Sequence, residues 1–183
     1  MQKGFSLDCQ ASSESVYHAR TRDVMPPYWR DADGGMTEQD RGGGHVAARG
    51  EGTKLFVGTL QVSAEQSGGS LEVIVLQAGP VPMGPPPHVH HDRDELFYMV
   101  KGRFTFVLGT REFEVDQGGT VFVPRGTRHG FKPQADSEAL LIIAPAGLEG
   151  FFVELGDALA SGRSNEEVRA ALAGKYDSTP TDL

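Results

Sequence analysis

The sequence predicts an all-β fold, a sandwich or barrel of short strands, with an irregular arm before it and two short helices after it. Three observations predict it. From residue 54 onward apolar runs of four to eight residues recur, the length of strands rather than helices. Clusters of turn-forming residues separate them. Glycine and proline are abundant, at 24 and 11 of 183 residues, as suits a chain that reverses often.

The elements follow in order. Residues 1–53 read as an arm: they hold Pro26, Pro27 and a glycine-rich stretch ending at Gly44, with few apolar clusters. Tyr28 and Trp29 are its exception and are expected to dock on the core. Residues 55–62 read as one strand, residues 67–70 as a turn and residues 71–77 as a second strand. Proline then dominates from Pro80 to Pro87, where a ladder strand would lack N–H donors. Further strands are expected over 95–100, 103–108, 112–115, 120–123 and 139–144, which completes a barrel over residues 54–148. Residues 149–183 form the helices and tail. Apolar residues 152, 155 and 159 have helical spacing, and Ser164 with Glu167 offers a capping box ahead of Val168, Ala171 and Leu172 on one face. There is no internal repeat, so one barrel is expected rather than two.

Charge and composition exclude some functions. The net charge of −8 and pI near 5.2 oppose binding to nucleic acid or to an anionic membrane. No apolar run approaches the roughly 18 residues of a membrane span. The first residues carry no apolar segment of the secretory type. Cys9 is the only cysteine and cannot close an internal disulfide. A cytoplasmic protein is the expectation.

The chemistry concentrates in residues 88–95 and at residue 129. Strand alternation puts His88 and His90 on one face and His91 on the other. Two imidazoles on one face can grip one metal ion. Glu95 opens the next strand, and a short loop can return its carboxylate to the same point. His129 follows a strand end and a turn, and in a barrel a distant strand can set it opposite the first three. Three neutral nitrogens and one carboxylate suit a single divalent ion of Fe, Ni, Co, Mn or Zn, with positions left open. Phe97 and Met99 share the parity of Glu95, and Phe131 that of His129, so all three are candidates for an apolar pocket wall or for plain core. Phe151 and Phe152 are placed to close the barrel mouth. Arg125 and Arg128 flank His129 and are expected to be solvated.

These residues carry a resemblance. Gly84, His88, His90, Glu95 and Gly102 are similar to the first motif of the cupins, and Gly118, Pro124, Gly126 and His129 to the second. Three residues rather than five separate Gly84 from His88, and Pro133 stands where the second motif often has asparagine. The running text over residues 54–174 resembles the quercetinase-like monocupins, with residues 30–50 as an insertion. The resemblance implies a cupin double-stranded β-helix, or jelly-roll, barrel. It implies a metal held by His88, His90, Glu95 and His129, with Glu95 as ligand, as general base on a substrate hydroxyl, or both. It implies a homodimer acting on a small molecule. The leading expectation is a dioxygenase that uses O2 on a flavonol-like or aromatic polyketide-like molecule. The alternatives are a non-redox isomerase, lyase or cyclase, and a binding cupin without turnover.

Overall fold

The computed structural model describes residues 44–80, 83–173 and 175–181. The chain divides into two units, Met1–Gly44 and His45–Leu183, and the second holds the barrel. Most of the expected arm, with Cys9, His18, Tyr28 and Trp29, lies outside the described residues.

The second unit is a jelly roll of two antiparallel sheets. The first has six strands in the order β1 (Thr53–Leu55), β2 (Gly58–Val62), β3 (Glu72–Gln77), β10 (Glu138–Ala144), β5 (Asp94–Lys101) and β8 (Thr120–Val123). The second has five in the order β11 (Thr179–Pro180), β4 (His88–Val89), β9 (His129–Pro133), β6 (Arg103–Leu108) and β7 (Arg111–Asp116). Alternate residues point between the sheets. Ile74 of β3, Phe97 and Met99 of β5, Phe104 and Phe106 of β6, and Leu141 and Ile143 of β10 form the core there. Phe97 meets Phe106 and Phe131 edge-on, with ring centres 5.0 and 5.3 Å away. Such pairs add to the burial of the rings themselves.

The expected strand over residues 55–62 is instead a hairpin. Leu55 pairs with Gly58, and Phe56 and Val57 make the turn. Neither is a turn former, so the apolar run concealed the reversal. Gly58 carries it: its φ is +148°, and a Cβ there would stand 2.0 Å from the Val75 carbonyl oxygen.

Helices α1 (Glu149–Ala160) and α2 (Asn165–Leu172) close one end. The capping box at α2 is formed: the Ser164 hydroxyl accepts the Glu167 amide at 3.3 Å, and the Glu167 carboxylate accepts the Ser164 amide at 3.2 Å. The buried face of α2 is Val168, Arg169 and Leu172. Ala171, expected on that face, is exposed, and an arginine takes the place. None of the helices among the described residues is long and apolar enough to cross a membrane.

The start of α1 is anchored from the sheet. Glu72 of β3 is fully buried, and its carboxylate accepts the amides of Gly147 at 3.1 Å, Leu148 at 3.1 Å and Glu149 at 3.3 Å. These are the orphan donors of a helix N-terminus, beside the positive end of its dipole. Burial pushes the Glu72 pKa above 4.5, and the three amides oppose it without prevailing.

Glu72→Ala leaves those amides without an acceptor and is expected to cost about 2–3 kcal/mol in a denaturant titration. Because the folded pKa is raised, the protonated form is the one folding favours. The contribution is full below the unfolded pKa and is lost as pH rises through the folded value. Glu72→Gln cannot titrate, so its stability relative to wild type is expected to increase as pH rises through that window.

Candidate metal centre

The barrel brings together four side chains that the sequence separates. β4 pairs with β9 so that His88 stands directly opposite His129. That approach needs Gly84, where a Cβ would lie 1.7 Å from the Phe131 carbonyl oxygen. The first motif glycine is thus a steric requirement of the pairing. His90 follows β4, and its carbonyl accepts the Gly126 amide at 2.6 Å from the turn before β9. Glu95 comes from the facing sheet, on the inward side of β5 with Phe97 and Met99. His88, His90, Glu95 and His129 are all buried.

Each imidazole is held the same way. His88 Nδ1 lies 2.9 Å from the Pro86 carbonyl oxygen, His129 Nδ1 lies 2.8 Å from that of Thr127, and His90 Nδ1 contacts that of Asp177. A carbonyl can only accept, so each Nδ1 carries hydrogen and donates it. Each Nε2 is left to face the centre with its lone pair. The three ligand nitrogens lie within 4.8 Å of one another. His88 Nε2 is 3.2 Å from His90 Nε2, Glu95 Oε1 is 3.3 Å from His90 Nε2, and Glu95 Oε2 is 2.9 Å from His129 Nε2. Donors bound at about 2.1 Å on adjacent corners of a tetrahedron or octahedron stand about 3.0–3.4 Å apart. Glu95 Oε2 and His129 Nε2 are buried without a properly directed hydrogen bond, although they are close. Two orphaned polar atoms aimed at one point are costly unless a third group sits there. The donor set therefore fits a divalent transition metal.

Charge prepares the same set. Burial dominates at His88, with the neighbouring imidazoles adding to it, and its pKa falls to about 3. At His90 burial acts downward, but the hydrogen bond and charge of Glu95 and the Asp177 contacts outweigh it and hold the pKa above 6.5. Burial acts upward on Glu95, yet the His129 and His90 contacts hold its carboxyl well below the usual carboxylate range. Glu95 is thus ionised and His88 neutral at working pH, as ligands must be.

An inner chamber of about 40 Å³ lies against His88, His90 and Glu95. Its walls include Leu148, Phe151 and Phe152 from the α1 end, and Phe131 from β9. Phe151 and Phe152 thus stand at the barrel mouth. Of the three expected pocket residues, only Phe131 lines this chamber; Phe97 and Met99 are fully buried in the core behind it. His91 is exposed and His45 is exposed beside Gln66. Arg125 makes a paired hydrogen bond to Asp94 at 3.0 and 2.8 Å, and Arg128 donates to the Gly109 carbonyl at 2.6 Å.

Sequence reasoning missed Asp177. Its carbonyl accepts a hydrogen bond from His90 Nδ1. Its carboxylate accepts the His91 amide at 2.7 Å and the Asp92 amide at 2.9 Å, and pairs with Arg93 at 3.3 Å. Strand β11 then pairs with β4, and the Thr181 amide and hydroxyl donate to the Pro87 carbonyl at 3.1 and 3.0 Å. The tail thereby clamps β4, which carries His88, and holds His90 just after it. Arg169, which also lines the chamber, was missed as well. Its signal was available: it shares the helical face of Asn165 and Leu172.

Residues 74–145 match the Cupin domain family model. The chain is 26% identical over 117 residues to quercetin 2,3-dioxygenase of Bacillus subtilis, covering 62% of this chain and 35% of that protein. It spans about a third of the length of the curated relatives it matches. Among solved structures it is similar to KdgF from Halomonas sp., at 18% identity and TM-score 0.48, covering 58% of this chain and 96% of the other. It is also similar to the polyketide cyclase RemF from Streptomyces resistomycificus, at 25% identity and TM-score 0.42, covering 49% and 63%.

Elemental analysis of protein loaded with a divalent transition metal is expected to give one ion per chain, and His129→Ala to remove it. Asp177→Ala keeps every ligand and the main-chain carbonyl on His90 but removes the carboxylate that holds the His91 and Asp92 amides, and is expected to weaken metal affinity about tenfold in a chelator competition. Affinity is expected to fall on acidification, because His90, with its raised pKa, takes up a proton before His88 does.

Proposed function

We propose that this chain, which matches the Cupin domain family model over residues 74–145, is a metal-dependent dioxygenase acting on a flavonol-like or aromatic polyketide-like molecule. One observation carries the reading: three Nε2 lone pairs and an ionised carboxylate converge at the floor of an apolar chamber. The 26% identity to a quercetin dioxygenase over 117 residues supports the reaction class.

His88, His90, Glu95 and His129 would hold the ion, which when bound supplies Lewis acidity and, if redox-active, electron transfer. The chain's own residues do the rest. The carbonyls of Pro86, Thr127 and Asp177 keep the imidazoles from turning. Glu95 is the group that takes the proton from a substrate hydroxyl, since it is ionised and lines the chamber. Phe131, Phe151 and Phe152 exclude water and present flat apolar surface to a ring. The inner chamber of about 40 Å³ has room only for the reacting edge of a substrate. The body must lie in the adjoining outer pocket of about 260 Å³, whose lining shares Val57, Leu76, Pro85, Phe131 and Arg169 with the chamber.

Oxygen consumption with a panel of flavonols and smaller enolic aromatics, using protein loaded with Fe, Ni, Co or Mn, tests the reading. Uptake with at least one pairing is expected, and none with any metal would overturn it. Glu95→Gln is expected to lower kcat by about 10²–10⁴ while part of the metal is retained. Undiminished activity in that variant would remove the base role.

A further inference from the structure

The residue that the metal chemistry leaves unexplained is Arg169. It lies on the buried face of α2 and is 9% exposed. Arginine is almost never buried to this degree without a counter-charge. Here there is none: among the described residues no carboxylate forms an ion pair with it, although the barrel makes several such pairs elsewhere. Its Nε donates to the Asn165 side-chain oxygen at 2.8 Å, and its guanidinium carbon sits 5.5 Å from the centre of the Phe151 ring. These contacts use one N–H and one face of the group. The two terminal amino groups donate to no described acceptor, and they are not sealed among the buried orphan atoms. They keep some accessible surface, and Arg169 lines the cavity. Burial alone lowers the Arg169 pKa, to about 10, so the side chain stays charged at neutral pH.

Its place in the cavity is as telling as its lack of a partner. The inner chamber, the outer pocket and a third, wider pocket beside Pro180 share three residues: Pro85, Phe131 and Arg169. Arg169 is the charged member of that shared lining. One wall there is aromatic, from Phe131 and Phe151. The other is a fork of free N–H donors, whose geometry matches a carboxylate. The protein carries a net charge of −8, so a desolvated cation is out of keeping with its surface.

We propose that Arg169 is the substrate-anchoring residue, and that the substrate class is a small aromatic or enolic acid. The anionic group pairs with Arg169, the ring lies against Phe131 and Phe151, and the opposite edge reaches the chamber. This deepens the dioxygenase reading and rests on it only for what happens at that edge.

The test uses benzoate and its neutral isostere benzamide as probes, with binding to metal-loaded and chelator-stripped protein measured by calorimetry. Benzoate is expected to bind about tenfold more tightly than benzamide in both forms, as a charge-assisted pair predicts. Arg169→Met is expected to erase the preference with metal content unchanged. Arg169→Lys, which keeps the charge without the planar fork, is expected to reduce it severalfold and guards against a folding defect in the first variant. Equal binding of the two probes by wild type would overturn the proposal, as would an undiminished preference in both variants. A preference that disappears with the metal but survives in Arg169→Met would mean that the ion holds the anion, and would also overturn it. A chain that binds no metal yet discriminates through Arg169 would overturn the dioxygenase reading and leave this one standing.

Discussion

Three backbone carbonyls, those of Pro86, Thr127 and Asp177, decide where the histidine protons go. A buried imidazole must satisfy its N–H, and a carbonyl offers only acceptance. Once each Nδ1 donates outward, three lone pairs are forced inward to one point. Glu95, from the other sheet, meets them with its charge. Glu95 Oε2 and His129 Nε2 are left there without a hydrogen bond, so the same constraint that orients the rings also makes the centre favourable to a cation. The three carbonyls come from just before β4, just before β9 and from the tail. The tight fit at Gly84 lets those two strands pair.

The helices extend this logic to the barrel mouth. Glu72 spends a buried charge on the first amides of α1, which fixes Leu148 and Phe151 over the chamber. Helix α2 then carries Arg169 to the junction of the cavities. One buried charge thus has its hydrogen-bond partners inside the fold, and the other has no counter-charge among the described residues. That contrast separates a group that stabilises the structure from one that is kept for a ligand.

Much of this was legible in the sequence, because it rests on period-two alternation. His88 and His90 share a face, as do Glu95, Phe97 and Met99, and all of these proved buried. Glycine punctuation located β6 and β8, and the capping box at Ser164 located α2. The parts that were not legible depend on main-chain contacts or on context. Asp177 acts through its own carbonyl and through amide-binding to a loop 85 residues away, so no side-chain pattern marks it. The hairpin at Phe56 and Val57 lacks turn residues, and its reversal depends on one glycine. Arg169 was passed over because the apolar-face rule counts only apolar residues. The same rule, read for position rather than type, places an arginine among Val168 and Leu172.

The clamp by residues 177–181 also sets an order of events. A ribosome has delivered all four ligands once residue 129 is made, and the matched cupin domain is finished at residue 145. The carbonyl that orients His90 comes only with residue 177, and the strand that braces β4 comes with residues 179 and 180. The matched segment can therefore be synthesised in full while one of its imidazoles still lacks its orienting contact. The centre has its whole set of contacts only when the tail lies on the strand made some ninety residues earlier. The functional unit of this chain is thus longer than its recognisable domain.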